Sequence, residues 1–243
     1  MKTEDLNVQE TSVILSRSPF QLPADLAVPD EAVGLVIFAH GSGSSRRSPR
    51  NQVVAQNLQR LGIGTLLFDL LTEVEEREDH YTGHLRFDIP LLADRLAAAT
   101  EWVAAQDIAS GLPLGYFGAS AGAAAALVAA AKPGGQIRAI VSRGGRPDLA
   151  GESLSRVQVP TLLIVGENDA AVLKMNETAR KKLRCQSSLN IVPGASHLFE
   201  EPGALEEVAW LASEFFLKYF PARASKGDAA AKKTAAQAAR PAA

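Results

Sequence analysis

Leu114-Gly115-Tyr116-Phe117-Gly118-Ala119-Ser120-Ala121-Gly122-Ala123 is the stretch on which the fold turns. An apolar run suited to a buried strand ends at Gly118, and the Ala-rich run at 123–131 favours helix. Between them, Gly118 to Gly122 has the G-x-S-x-G spacing of a nucleophile elbow, in which a tight turn holds a serine above the end of a strand. The glycines are needed because strand and helix approach so closely that side chains flanking the serine would clash. A Gly-rich turn with a serine capping a helix has the same five letters, so the motif gains weight only from its surroundings.

Those surroundings alternate between short apolar runs and helix-like stretches. Strands are predicted at 11–15, 34–39, 65–68, 113–117, 137–142, 161–165 and 189–192. Helices are predicted at 49–61, 88–106, 123–131, 173–183 and 205–219. In the first of these, Ser48 suits the N-cap, Pro49 the first helical position and Gly62 the stop. In the second, Leu92, Leu96, Ala99 and Val103 fall on one face. The alternation implies a mostly parallel sheet of about seven or eight strands with helices on both faces, a three-layer α/β/α arrangement. No internal repeat is present, and 243 residues suit one such domain.

Composition excludes several functions. The chain is 47% apolar and 21% charged, an ordinary globular balance. Its net charge of −2 is uneven: residues 221–243 carry five cations against Asp228, which leaves a mildly acidic body without the basic footprint of a nucleic-acid-binding fold. Residues 1–220 are therefore expected to form the domain, and the Ala/Lys-rich residues 221–243 a disordered tail. A lone cysteine, Cys185, cannot form an internal disulfide. The first ten residues are polar and acidic where a signal peptide is basic and then apolar, so a cytoplasmic protein without membrane attachment is expected. Nothing in the sequence assigns an oligomeric state.

Serine is a poor nucleophile at neutral pH unless a base takes its proton and a third group orients that base. His197, in Gly194-Ala195-Ser196-His197, and Asp169, in Gly166-Glu167-Asn168-Asp169, each follow a predicted strand, as Ser120 does. The carboxyl ends of strands in an open parallel sheet share one rim, so all three converge there in the order nucleophile, acid, histidine. Asp169 has a second reading as the N-cap of the helix that follows, with Glu167 as the fallback acid. His40 ends a strand beside Gly41 and suits a local structural bond. His80 and His84 are spaced like metal ligands, but Gly83 interrupts any helix that would align them and no third ligand is evident, so no metal is expected.

His40-Gly41-Ser42-Gly43-Ser44-Ser45 follows the predicted strand at 34–39, and its small residues free backbone N–H groups to point inward. The N–H groups of Ser42 and Ala121 are the expected oxyanion hole, with Gly41, Gly43 and Arg143 next to the substrate. Arg46, Arg47 and Arg50 are open to two readings, attraction of an anionic substrate or a solvated charged helix start, and the second is the simpler.

Through His40-Gly41, Gly118 to Gly122, Gly166 to Asp169 and Gly194 to His197, the chain resembles the α/β-hydrolases and, within them, the dienelactone hydrolase-like group, over roughly residues 10–220. The resemblance implies an eight-stranded, mostly parallel sheet and hydrolysis of small ester or lactone substrates without a cofactor. Dienelactone hydrolases proper carry cysteine at the nucleophile position, whereas Ser120 stands here, so a serine esterase working through an acyl-enzyme is the expectation. Many relatives insert a helical cap after the strand at 137–142, but only Arg143 to Pro160 separates it from the next strand, room for one short helix at most, which implies no large cap and an open site. A catalytically silent binding module on the same scaffold is the alternative.

Overall fold

The computed structural model describes residues 7–17 and 20–220; the tail expected at 221–243 lies outside them. Within them, eight strands form one sheet: β1 (Val8–Arg17), β2 (Phe20–Pro29), β3 (Gly34–Ala39), β4 (Ile63–Phe68), β5 (Leu114–Ala119), β6 (Ile137–Arg143), β7 (Thr161–Gly166) and β8 (Ser187–Val192). Their spatial order is β1-β2-β4-β3-β5-β6-β7-β8, with β1, β2 and β4 antiparallel in turn and the remaining pairs parallel. Central strands β3, β4, β5 and β7 are buried along their whole length, as parallel strands covered on both faces must be.

Among the described residues six helices cover the sheet: α1 (Pro49–Arg60), α2 (Glu73–Thr82), α3 (Ile89–Ala104), α4 (Ala121–Ala130), α5 (Ala170–Arg180) and α6 (Ala204–Tyr219). One apolar cluster joins the sheet to α3 and α4, through residues such as Ile37, Leu96, Tyr116 and Leu127. A second lies on the opposite face, where Phe38, Phe117 and Val141 meet Val54 and Leu58 of α1 and Val208 and Phe216 of α6. Nearly every residue of α4 is buried, and its alanines let it lie close against both β5 and α3. No helix among the described residues is long and apolar enough to cross a membrane.

Two elements depart from the sequence reading. β2 carries Pro23 within its run, which argues against a strand until its position is known; it pairs with the edge strand β1, where Pro23 stands opposite Ile14. α2 occupies the polar segment before α3 and buries only Asp79, so it has no apolar stripe to betray it. Its start is fixed instead by a capping box, with Thr72 accepting from the Glu75 N–H and Glu75 accepting from the Thr72 N–H. Gly83, at φ 67°, stops it as expected. Between β6 and β7 there are only 3-10 turns over Pro147–Arg156, with a break at Gly151, and no cap domain among the described residues.

The strand order reverses between β3 and β5: β3 is followed outward by β4 and β5 by β6. Such a switch point opens a crevice at the carboxyl ends of the strands. The loop after β3 and the turn after β5 both stand there.

Candidate active site

Ser120 has φ 49° and ψ −124°, a conformation that a non-glycine residue adopts only when its surroundings impose it. The neighbouring glycines show what imposes it. A Cβ at Gly118 would stand 2.4 Å from the Cα of Ala123, and one at Gly122 would stand 2.2 Å from the carbonyl oxygen of Ala39. Strand, helix and the end of β3 meet with no room for a methyl group. Gly41 approaches the turn from the β3 side, close enough that a Cβ there would lie 3.1 Å from Ser120 Cβ.

His197 and Asp169 meet as the chain order implied. Asp169 Oδ2 accepts from His197 Nδ1 at 2.6 Å, while Asp169 Oδ1 accepts from the Val172 N–H at 3.4 Å at the start of α5. The contact with the imidazole and the helix-capping contact therefore coexist, one oxygen to each. Glu167 is taken by the Gly194 N–H and does not compete. With Nδ1 donating to Asp169, the neutral imidazole keeps Nε2 free as an acceptor. The imidazole and Ser120 border the same turn: Ser120 donates its N–H to the Arg143 carbonyl and accepts from the Arg146 N–H, and a Cβ on Gly144 would lie 3.5 Å from His197 Cε1.

The loop carrying His197 is anchored from several sides. Phe199, two residues on, is fully buried with φ 58°, so its ring fixes the loop at the cost of a left-handed backbone. Gly166 lies so close to the carbonyls of Ala195 and Ser196 that a Cβ would reach 2.3 Å, and Asn168 donates to the Gly194 carbonyl.

On the other side of Ser120, Ala121 opens α4, so its N–H has no acceptor within the helix. The Ser42 N–H makes no loop hydrogen bond among the described residues. The loop is held by the Ser44 N–H on the Gly41 carbonyl and by the Ser42 hydroxyl on the Arg86 carbonyl. His40 is buried beneath it, Nδ1 donating to the Gly41 carbonyl and Nε2 accepting from the Leu70 N–H, which fixes a neutral tautomer; burial pushes its pKa below the ordinary histidine value.

The sequence reading missed one support of this loop. Asp79, buried in α2, accepts from the N–H groups of Leu85 and Arg86 and from Arg86 Nε at 2.5 Å. Burial works to raise its carboxyl, but those partners together bring it below the usual range. Arg86 is thereby held beside Gly43, which is exposed and has φ 66°. Beyond it opens a cleft of about 700 Å³ between Ser44, Arg46 and the α2 residues Glu73, Glu76, Arg77 and His80. A polar helix without periodicity gave no sign of this wall.

The arginines divide. Arg46 is mostly buried and bound to both Asp25 and Asp69, which makes it structural rather than a solvated charge. Arg47 is exposed. Arg143 is buried, and burial followed by repulsion from Arg50 pushes its pKa down to about 10. Among the described residues no group of three or more His, Cys, Asp or Glu side chains could hold a metal ion.

A family model described as an alpha/beta hydrolase domain matches residues 32–209. The crystal structure of a dienelactone hydrolase from Anabaena variabilis ATCC 29413 is similar at 55% identity and a TM-score of 0.85, covering 88% of this chain and 99% of that one. Est1E from Butyrivibrio proteoclasticus shares the fold at 18% identity and a TM-score of 0.71, covering 86% of this chain and 98% of its own. Two Mycobacterium tuberculosis proteins, from strains CDC 1551 and H37Rv, are each 52% identical over 215 residues. Their name provisionally assigns a phosphoribosyl transferase activity, and the match spans 88% of this chain but 48% of theirs. The chain belongs to the α/β-hydrolase family, in its dienelactone hydrolase-like group.

Proposed function

We propose that this domain is a serine hydrolase that cleaves small carboxylic esters or lactones through an acyl-enzyme, without a cofactor. The observation that carries the reading is the Asp169–His197 bond at 2.6 Å, on a loop packed against the turn that holds Ser120 in its strained conformation. Ser120 Oγ attacks the carbonyl carbon while His197 Nε2 takes its proton. Asp169 keeps Nδ1 protonated and offsets the charge of the imidazolium. The N–H groups of Ala121 and Ser42 receive the oxyanion. His197 then protonates the leaving alcohol, deprotonates a water molecule for attack on the acyl-enzyme, and returns the proton to Ser120.

Phosphoribosyl transfer is named for proteins about twice as long as the matched region, and it is not carried over to this domain. Ser120→Ala should remove turnover of a short-chain aryl acetate while circular dichroism and the unfolding midpoint stay unchanged. A fluorophosphonate probe should label the native chain at Ser120 and leave that variant unlabelled. A native chain that resists the probe and does not turn over the ester is a binding module instead.

A further inference from the structure

The buried stripe of α5 is interrupted by an amide. Val172, Asn176 and Ala179 face inward, and Asn176 has no exposed surface. An apolar residue would suit that place better, because a buried amide must find partners for a carbonyl oxygen and two N–H hydrogens. Asn176 finds them at one end. Its Nδ2 donates to the Val172 carbonyl one turn back at 2.8 Å and to the Gly145 carbonyl at 2.9 Å, while its Oδ1 is closed off from water without a partner. Both contacts are carbonyl oxygens, which fixes the amide with its nitrogen toward them. The first contact stays within the helix; the second crosses to a segment 31 residues earlier.

Gly145 lies in the turn after β6, and that turn touches both halves of the proposed chemistry. On one side Gly144, at φ 49°, abuts the His197 loop: a Cβ there would lie 3.1 Å from the His197 carbonyl oxygen and 3.5 Å from its Cε1. On the other side the Arg146 N–H donates to the Ser120 carbonyl at 3.0 Å. Gly145 itself is wedged so tightly that a Cβ would run into Ser142 Oγ and the Ala123 methyl of α4. Its carbonyl accepts from no other donor among the described residues. α5 opens at Asp169, two turns before Asn176 and roughly 10 Å away along the axis. One helix therefore holds the imidazole at its start and the turn bonded to Ser120 farther on.

We propose that Asn176 is a positioning residue for this hydrolysis: its amide ties the helix whose first carboxylate holds His197 to the turn bonded to Ser120, and so sets the distance from His197 Nε2 to Ser120 Oγ. The assignment rests on the ester-cleaving role of Ser120 proposed above and adds a residue that touches neither substrate nor reacting atoms. Without the amide the Gly145 carbonyl would be buried with no donor, a penalty that turning toward water relieves. Gly144 and Arg146 are joined to it by peptide bonds and move with it, the first against His197 and the second against the Ser120 carbonyl. Proton transfer between hydroxyl and imidazole needs hydrogen-bond reach, about 2.6–3.2 Å between heavy atoms, so a shift of about half an ångström is felt in turnover before it is felt in binding.

Asn176→Leu in the full chain is nearly isosteric and removes the crossing bond while leaving α5 helical. Fluorophosphonate titration counts the reactive serines, so kcat can be expressed per site; KM for an aryl acetate, the rate of labelling and the urea midpoint complete the test. Turnover per site should fall about tenfold, less than the 10²-fold loss of a 1 Å misplacement, and labelling should slow in step, with KM within about twofold of native. Ala179→Gly is the control. It weakens the same helix farther along the buried stripe, so the midpoint should fall while turnover per site stays native. A merely structural amide would make the two variants alike, with sites lost and turnover per site kept, and that result overturns the proposal. A raised KM with native kcat overturns it too, because it marks a binding role. If Asn176→Leu does not fold, Asn176→Ala, which adds no bulk, is judged by the same readings. Failure of the Ser120 reading would look different: the native chain itself takes no probe and leaves the ester uncleaved, and Asn176 then has no such chemistry to position.

Discussion

Gly122→Ala should separate activity from stability in a way set by distances in the elbow. The added methyl would stand 2.2 Å from the Ala39 carbonyl oxygen and 2.5 Å from that of His40, where Cβ atoms keep at least 3.0 Å. The end of β3 and the start of α4 must therefore part by roughly 0.8 Å. Both obstructing atoms are backbone, so no side chain can swing aside. Ala39 and His40 lead into the Ser42 loop and residue 122 follows Ala121, so the parting widens the gap between the two proposed oxyanion donors. Overpacking of this kind costs about 1–3 kcal/mol of stability, and misplacement near 1 Å costs about 10²-fold in rate. Urea unfolding and kcat/KM for an aryl acetate measure the two effects. Gly135→Ala is the control, because its methyl would have nothing nearer than 3.8 Å and both quantities should stay within error or improve slightly. A Gly122→Ala protein with native kcat/KM would refute the claim that this contact spaces the oxyanion donors.

Two further predictions concern titratable groups. Asp169→Asn keeps an oxygen for the Val172 N–H, and asparagine caps helices as well as aspartate, so the unfolding midpoint should hardly move; kcat/KM should nevertheless fall about 10³–10⁴-fold, because the amide no longer selects the working tautomer of His197. A fall in the midpoint matching the fall in rate would show the aspartate to be a cap alone. His40 is held neutral in the fold with its pKa lowered by burial, so the unfolded chain binds more protons below about 6.5. Stability should therefore decline as pH drops through that range, down to the folded pKa. His40→Gln should flatten that decline in urea titrations at stepped pH, and an unchanged slope would exclude His40 as its source.

The legible and illegible parts of the sequence differ by the range of the forces involved. The elbow could be read because five consecutive residues state a steric condition, that strand and helix meet without side chains between them, and the structure meets it at Gly118 and Gly122. β3, α1, α3 and α6 were readable from apolar periodicity because each buries one face or both. β2 was hidden by Pro23, which the strand tolerates because its ladder with β4 begins only at Ala24. α2 was hidden because its single buried side chain is an aspartate, held by Arg86 and two N–H groups that no local pattern announces.

Sequence alone determined the α/β class, the strained serine and the order of serine, acid and histidine, since each follows from residues adjacent in the chain or from the rule that strand ends share a rim. Tertiary structure decided how charges divide. Asp169 serves cap and imidazole together, Arg46 is consumed by two aspartates from β2 and the end of β4, and Arg143 has none among the described residues. Electrostatic energy depends on distance and burial, and both are set by segments far apart in the chain, so residues of identical formal charge acquire opposite roles only once the fold has closed.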